Sequence, residues 1–173
     1  MDIRDRIAQL NTDTVLDGNV LHLSLATDLP PSILWPYLTD PVLLRAWSPY
    51  VPDRVLTFEE SVLARENSAD EPYLSQIMEI KAEETLAHTW GDDTVRWSLT
   101  NPGITCDMTL QEPKYASYYA AGWQVCLAVL QALLEGDKQE RIIGMDAMKY
   151  GWPELQKKYQ AELPGQEAAP DEG

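Results

Sequence analysis

Two segments bracket most of what this chain can fold into. Leu38-Thr39-Asp40-Pro41 runs to Arg45-Ala46-Trp47, and much later Ala121-Gly122-Trp123 opens a long apolar stretch that closes at Leu133-Leu134-Glu135-Gly136. Between them lie only strand patterns. One strand, two short helices, a run of strands and one long late helix describe an α+β fold in which a curved antiparallel sheet wraps around its last helix. An arrangement of that kind encloses a cavity.

The individual elements follow from period and punctuation. Ile3, Ile7 and Leu10 give residues 1–12 a short amphipathic helix, and Asp17-Gly18-Asn19 is a turn within a first extended stretch. In residues 20–26, Leu21, Leu23 and Leu25 share one face, which leaves His22 and Ser24 outside. Asp28-Leu29-Pro30-Pro31-Ser32 starts a helix carrying Ile33, Leu34, Tyr37 and Leu38, with Pro36 early enough to bend it without abolishing it. Asp40 caps a second helix with Pro41 at its first position. Residues 48–53 read as a proline-punctuated loop, 54–58 as a strand, and Glu59-Glu60-Ser61 as a turn into another short strand. After a polar loop at 67–72 come strand patterns at 73–81, 85–91, 94–100 and 104–110, joined by Glu83-Glu84, Gly91-Asp92-Asp93 and Asn101-Pro102-Gly103. A meander is the economical reading.

Residues 116–135 carry the longest helix pattern, with Tyr119, Trp123, Cys126 or Leu127, Leu130 and Leu134 along one stripe and Gly136 as a C-cap. Residues 142–163 carry another, broken at Gly151-Trp152-Pro153, with Leu155, Tyr159 and Leu163 able to pack on the body. The chain thus divides into an N-terminal extension (1–13), a sheet-and-helix domain (14–136), a helical extension (137–163) and a tail (164–173) expected to be disordered.

Charge limits the partners. With 28 acidic against 13 basic side chains the net charge is -15, which repels nucleic acid and anionic membranes alike. The N-terminus alternates charges where a signal peptide needs an apolar core, and no stretch approaches the ~20 apolar residues of a membrane span, so the protein is expected in the cytoplasm. Cys106 and Cys126 have no CxxC spacing and read as reduced core thiols. Two histidines and two cysteines standing apart assemble no metal site, and no glycine-rich phosphate loop or GxSxG elbow occurs, so no metal or cofactor is expected.

These pieces resemble the START-like or SRPBCC helix-grip domains (Bet v 1-like fold), and within them the branch similar to the C-terminal domain of the activator of Hsp90 ATPase. The matching residues are Leu38-Thr39-Asp40-Pro41 with Trp47, Leu86 with Thr89-Trp90, and Ala121-Gly122-Trp123 with Leu127, Leu130 and Leu134-Glu135-Gly136. Trp152-Pro153-Glu154-Leu155 with Tyr159 is similar to the tail segment of some bacterial members. Many relatives carry a second tryptophan after Trp47 and a histidine near position 126, where this chain has Ser48 and Cys126. The superfamily includes lipid carriers, polyketide cyclases, stress-response proteins and co-chaperone domains, so the resemblance implies a fold and a cavity rather than one activity. Dimerisation is an expectation from the resemblance alone, since many members associate; no segment here specifies an interface.

Strict alternation places Leu74, Gln76, Met78 and Ile80 on the inner face with Leu86, His88 and Trp90, then Val95, Trp97 and Leu99, then Ile104, Cys106, Met108 and Leu110. A pocket between this face and the 116–135 helix would be lined by Trp47, Gln76, Met78, His88, Trp97, Cys106, Met108, Tyr119, Trp123 and Cys126. The rings would supply flat surfaces, and Gln76 and His88 would orient a carbonyl or hydroxyl. Against this, tryptophans at core spacing are more often packing residues than ligand walls, and a histidine on an apolar face is more often a satisfied core group than an acid or base. Glu59-Glu60 and Glu83-Glu84 read as exposed turn charges, not as paired catalytic carboxylates. The leading expectation is a non-enzymatic protein binding a small hydrophobic or amphipathic molecule. The alternatives are an interaction module acting on an Hsp90-type chaperone, which the resemblance implies, and a cyclase-like or dehydratase-like enzyme with His88 as proton carrier.

Overall fold

The computed structural model describes residues 1–100 and 102–167. Helix α1 (Ile3–Gln9) leads into β1 (Val15–Asp17) and β2 (Val20–Ala26), a hairpin closed by Gly18 and Asn19. Helices α2 (Pro31–Thr39) and α3 (Pro41–Leu44) follow, then β3 (Val51–Pro52), β4 (Ser61–Arg65), β5 (Tyr73–Lys81), β6 (Thr85–Trp90), β7 (Asp93–Thr100) and β8 (Gly103–Thr109). A 3-10 turn, Pro113–Tyr115, opens the long helix α4 (Ala116–Leu134), and a second one, Gly144–Tyr150, precedes α5 (Trp152–Glu162). Every pairing is antiparallel, in the order β1-β2-β8-β7-β6-β5-β4-β3. This is the helix-grip fold, an open curved sheet closed on its inner side by α4.

The local reasons are those of the sequence. The Asp40 carboxylate accepts from the Val42 amide at 2.9 Å, which caps α3 behind Pro41. Leu21, Leu23, Leu25, Val95, Trp97, Leu99, Ile104, Cys106, Met108 and Leu110 all point inward and are buried. Regular alternation in β2, β7 and β8 is sufficient to orient them.

Strand β5 departs from that rule. Tyr73, Ser75 and Ile77 face inward, whereas Leu74, Gln76 and Met78 face out, with Leu74 70% and Met78 50% exposed. Ile77 lies opposite His88 and Ile80 opposite Leu86, so three residues of β5 span two of β6. This bulge inverts the parity of everything before it. Counting back from Ile80 by twos therefore selects the wrong face.

Other expectations are also corrected. Residues 54–58 form no strand: only Leu56 is buried, and its amide donates to the Thr39 carbonyl at 3.0 Å rather than to a neighbouring strand. The strand lies inside the expected loop, at Val51–Pro52, on the sheet edge where a proline's missing N–H costs no ladder bond. Pro113–Leu134, 22 residues, is long and apolar enough to cross a membrane, contrary to the expectation from composition; it is the central helix, and 67% of its most apolar 18-residue stretch is buried within the molecule. Of the tail expected to be disordered, residues 168–173 lie outside the described residues. Residues 164–167 are held, with Gln166 accepting from the Ser117 amide at 2.7 Å and donating to the Pro113 carbonyl at 2.9 Å.

Both extensions pack against α4. Buried Gln124 donates to the Ile7 and Leu10 carbonyls at 2.7 and 3.2 Å and accepts from the Tyr159 hydroxyl, which also bonds Thr12 at 3.1 Å. One side chain thus ties α1, α4 and α5 together. Arg6, 7% exposed, reaches Gln131, Glu135 and Asp137 at the other end of α4.

Candidate functional site: an aromatic cleft beside the long helix

Two adjacent i, i+4 rows on α4, Tyr118-Gly122-Cys126 and Tyr119-Trp123, form one wall of a cleft. Residues 142–152 stand opposite and contribute Ile142, Ile143, Met145, Ala147, Met148 and Trp152. Trp90, at the end of β6, closes one side, and Pro49 and Glu66 complete the wall. The cleft has a volume of about 670 Å³, within the range of small-molecule sites. Gly122 leaves its floor open: a Cβ there would meet nothing nearer than the Trp152 indole nitrogen at 3.9 Å.

The rings are held rigidly. Trp47 meets Trp97 edge-on at 5.8 Å, Trp97 meets Trp123 at 5.3 Å, and Trp123 meets Trp90 at 5.3 Å, so a ladder of indoles runs from the core to the cleft. Tyr118 packs edge-on against Trp152 at 5.0 Å. The Trp123 indole also donates to the Met108 sulfur at 3.5 Å. Such interlocked rings lose little freedom when a flat molecule settles on them.

A second cleft of about 830 Å³ shares Trp90 and Tyr119 with the first. Its remaining walls include Tyr73, Tyr115, Asp92, Asp93 and Glu112. Burial pushes the Tyr73 hydroxyl up to about 12, and that oxygen makes no hydrogen bond; the Trp90 indole lies near it without hydrogen-bonding geometry. Burial also raises Glu66, with the positive field of Arg141 opposing and Asp70 reinforcing the shift. Tyr119 is raised by burial first and then by Asp93, Tyr118 and Glu112.

The residues expected to line a pocket separate into four groups. Tyr119, Trp123 and Cys126 line the first cleft. Trp47, Trp97, Cys106 and Met108 are packed core, from 0% to 4% exposed, and they fill the space between sheet and helix where the pocket was expected. Gln76 and Met78 are on the outer face because of the β5 bulge. His88 is buried and lines neither cleft.

His88 stacks on Tyr50 with centroids 3.9 Å apart, and its Nδ1–H donates to the Thr89 carbonyl at 3.0 Å. The same carbonyl accepts from Ser75, which bonds the Tyr50 hydroxyl at 2.7 Å. Burial drives the histidine down to about 4, so it is neutral at pH 7. The linkage has a definite sign: between pH 6.5 and 4 the unfolded chain binds a proton that the folded chain refuses, so stability is full above 6.5 and falls as pH drops through that window. For a shift of this size the loss is roughly 3 kcal/mol. In urea titrations at pH 7 and pH 4, His88→Phe, which keeps the stack, should lose less stability on acidification than wild type. Equal losses would show that His88 does not carry the effect.

Sequence reasoning missed Tyr118, Gly122, Trp152 and the 142–148 wall. The 118/122/126 spacing is visible, but α4 is buried on most of its circumference, so period alone does not say which flank stays open. Among the described residues, no group of three His, Cys, Asp or Glu side chains could hold a metal ion.

The fold is shared with solved structures. A conserved protein of unknown function, EF2215 from Enterococcus faecalis, aligns at TM-score 0.63 and 16% identity, over 92% of this chain and 93% of its own. CalU16 from Micromonospora echinospora aligns at 0.60 and 15%, over 82% and 86%. DynU16, described as a putative protein in the dynemicin biosynthetic locus, aligns at 0.59 and 16%, over 72% of this chain and 51% of its own. No family model and no curated protein matches the sequence. At these identities the similarity shows the helix-grip fold and does not single out the Hsp90-activator branch.

Proposed function

We propose that this protein binds a small amphipathic molecule in the cleft between α4 and residues 142–152, as a carrier or sensor rather than a catalyst. The observation behind this reading is the 670 Å³ apolar cleft itself, walled by five aromatic side chains, Trp90, Tyr118, Tyr119, Trp123 and Trp152. Burial first, and then the Glu66 carboxylate, push the one lining thiol, Cys126, up to about 12, which makes it a poor nucleophile at pH 7. Water on such a surface is displaced favourably by any apolar body of matching size.

Gly122 provides the test. A leucine there projects from the helix into the cleft, and its backbone is ordinary helix, so the fold should tolerate it. The neutral dye N-phenyl-1-naphthylamine should brighten saturably with wild type and bind Gly122→Leu at least about tenfold more weakly, a loss of about 1.4 kcal/mol, while thermal unfolding is unchanged. A folded Gly122→Leu that binds the dye as tightly as wild type would reject this cleft as the site.

A further inference from the structure

Resting on that reading of the cleft, we infer that its ligand is an organic cation, an amine or quaternary ammonium group on an apolar body. The body lies against α4 and the positive group sits in the acidic cleft across Trp90 and Tyr119. Four carboxylates line the two clefts, Glu66 in the first and Asp92, Asp93 and Glu112 in the second, and no Lys, Arg or His side chain lines either.

Two cations stand close to these walls, and each is already engaged by protein groups. Lys114 lies 5.2 Å from the Tyr115 ring centre and pairs with Glu167 at 4.0 Å. Arg141, near Glu66, donates to the Ser48 carbonyl at 2.9 Å and to Asn67 at 3.4 Å. An anionic headgroup in the second cleft would therefore meet three carboxylates, Asp92, Asp93 and Glu112. A cation finds carboxylates beside aromatic faces, the combination that recognises ammonium groups, because ring quadrupole and carboxylate charge act with the same sign. Asp93 is already oriented by accepting from the Gln111 amide at 2.9 Å. Tyr73, whose buried hydroxyl makes no hydrogen bond, also lines the second cleft.

The experiment separates this inference from the cleft reading and from net charge. Octyltrimethylammonium, 1-octanol and octyl sulfate share one tail; each is titrated calorimetrically below its micelle concentration at physiological ionic strength. The ammonium compound should bind at least about tenfold tighter than octanol, and octyl sulfate weakest. The double variant Asp92→Asn/Glu112→Gln should erase most of that preference and leave octanol binding unchanged. Glu83→Gln/Glu84→Gln, which removes the same charge from the exposed β5–β6 turn, should keep it. Equal affinity for all three probes, or equal loss of preference in both double variants, overturns the cation assignment while the amphiphile site stands. Binding of none of the three overturns the site itself.

Discussion

Gly103→Ala should lower the unfolding free energy by about 3–5 kcal/mol, the sum of left-handed backbone strain and a steric clash. Gly103 opens β8 at φ 142, opposite Ala26 of β2, and a Cβ there would lie 2.3 Å from the Leu25 carbonyl oxygen. That atom belongs to the backbone of a central strand pair and cannot swing aside. Gly18 provides the comparison, since it also has positive φ (61) but no atom within 4 Å of its Cβ position. Gly18→Ala should therefore cost only about 1 kcal/mol. Urea melts of the two variants decide the matter: equal losses would mean that conformational strain alone, not the approach of β2, requires the glycine at 103.

Gln124→Leu should destabilise by about 3 kcal/mol, because two α1 carbonyls and the Tyr159 hydroxyl each lose a hydrogen bond at once. The Ile7 and Leu10 carbonyls at the end of α1 and the Tyr159 hydroxyl on α5 all bond this one amide. Leucine suits the helix and the volume, so the loss reads on the hydrogen bonds and not on a cavity. Hydrogen exchange should show where the damage lies, with protection falling in residues 1–14 and 152–163 and persisting in β7 and β8. A variant as stable as wild type, with exchange undisturbed in both extensions, would show that the network does not hold them.

That network also marks a boundary of what could be read in advance. The amphipathic lead helix is visible in Ile3, Ile7 and Leu10, yet nothing local says that its carbonyls end on a glutamine more than a hundred residues away. Gln124 looks like an interruption in an apolar run and is in fact the junction of three helices. Arg6 is similar: in a charged N-terminus it reads as solvated, and folding buries it among Gln131, Glu135 and Asp137.

The cleft shows the same division. Its α4 flank is written in the 118/122/126 spacing, and of its five rings Tyr119 and Trp123 were legible as ligand surface. The opposite wall is supplied by residues 142–152, whose position depends on how the chain returns after Gly136. The pocket expected between sheet and helix is filled by Trp47, Trp97, Cys106 and Met108, because four large inward side chains consume the space that curvature opens.

By itself the sequence determined the two short helices after β2, the strand run ending in the long helix α4, the Asp40 cap and the inward faces of β2, β7 and β8. All of these depend on periods and caps that act within a few residues. The face of β5 was decided by tertiary structure, since a bulge exists only relative to the strand it pairs with. So was the position of the cleft, since an apolar surface becomes a wall only when a distant segment packs opposite it and leaves a gap.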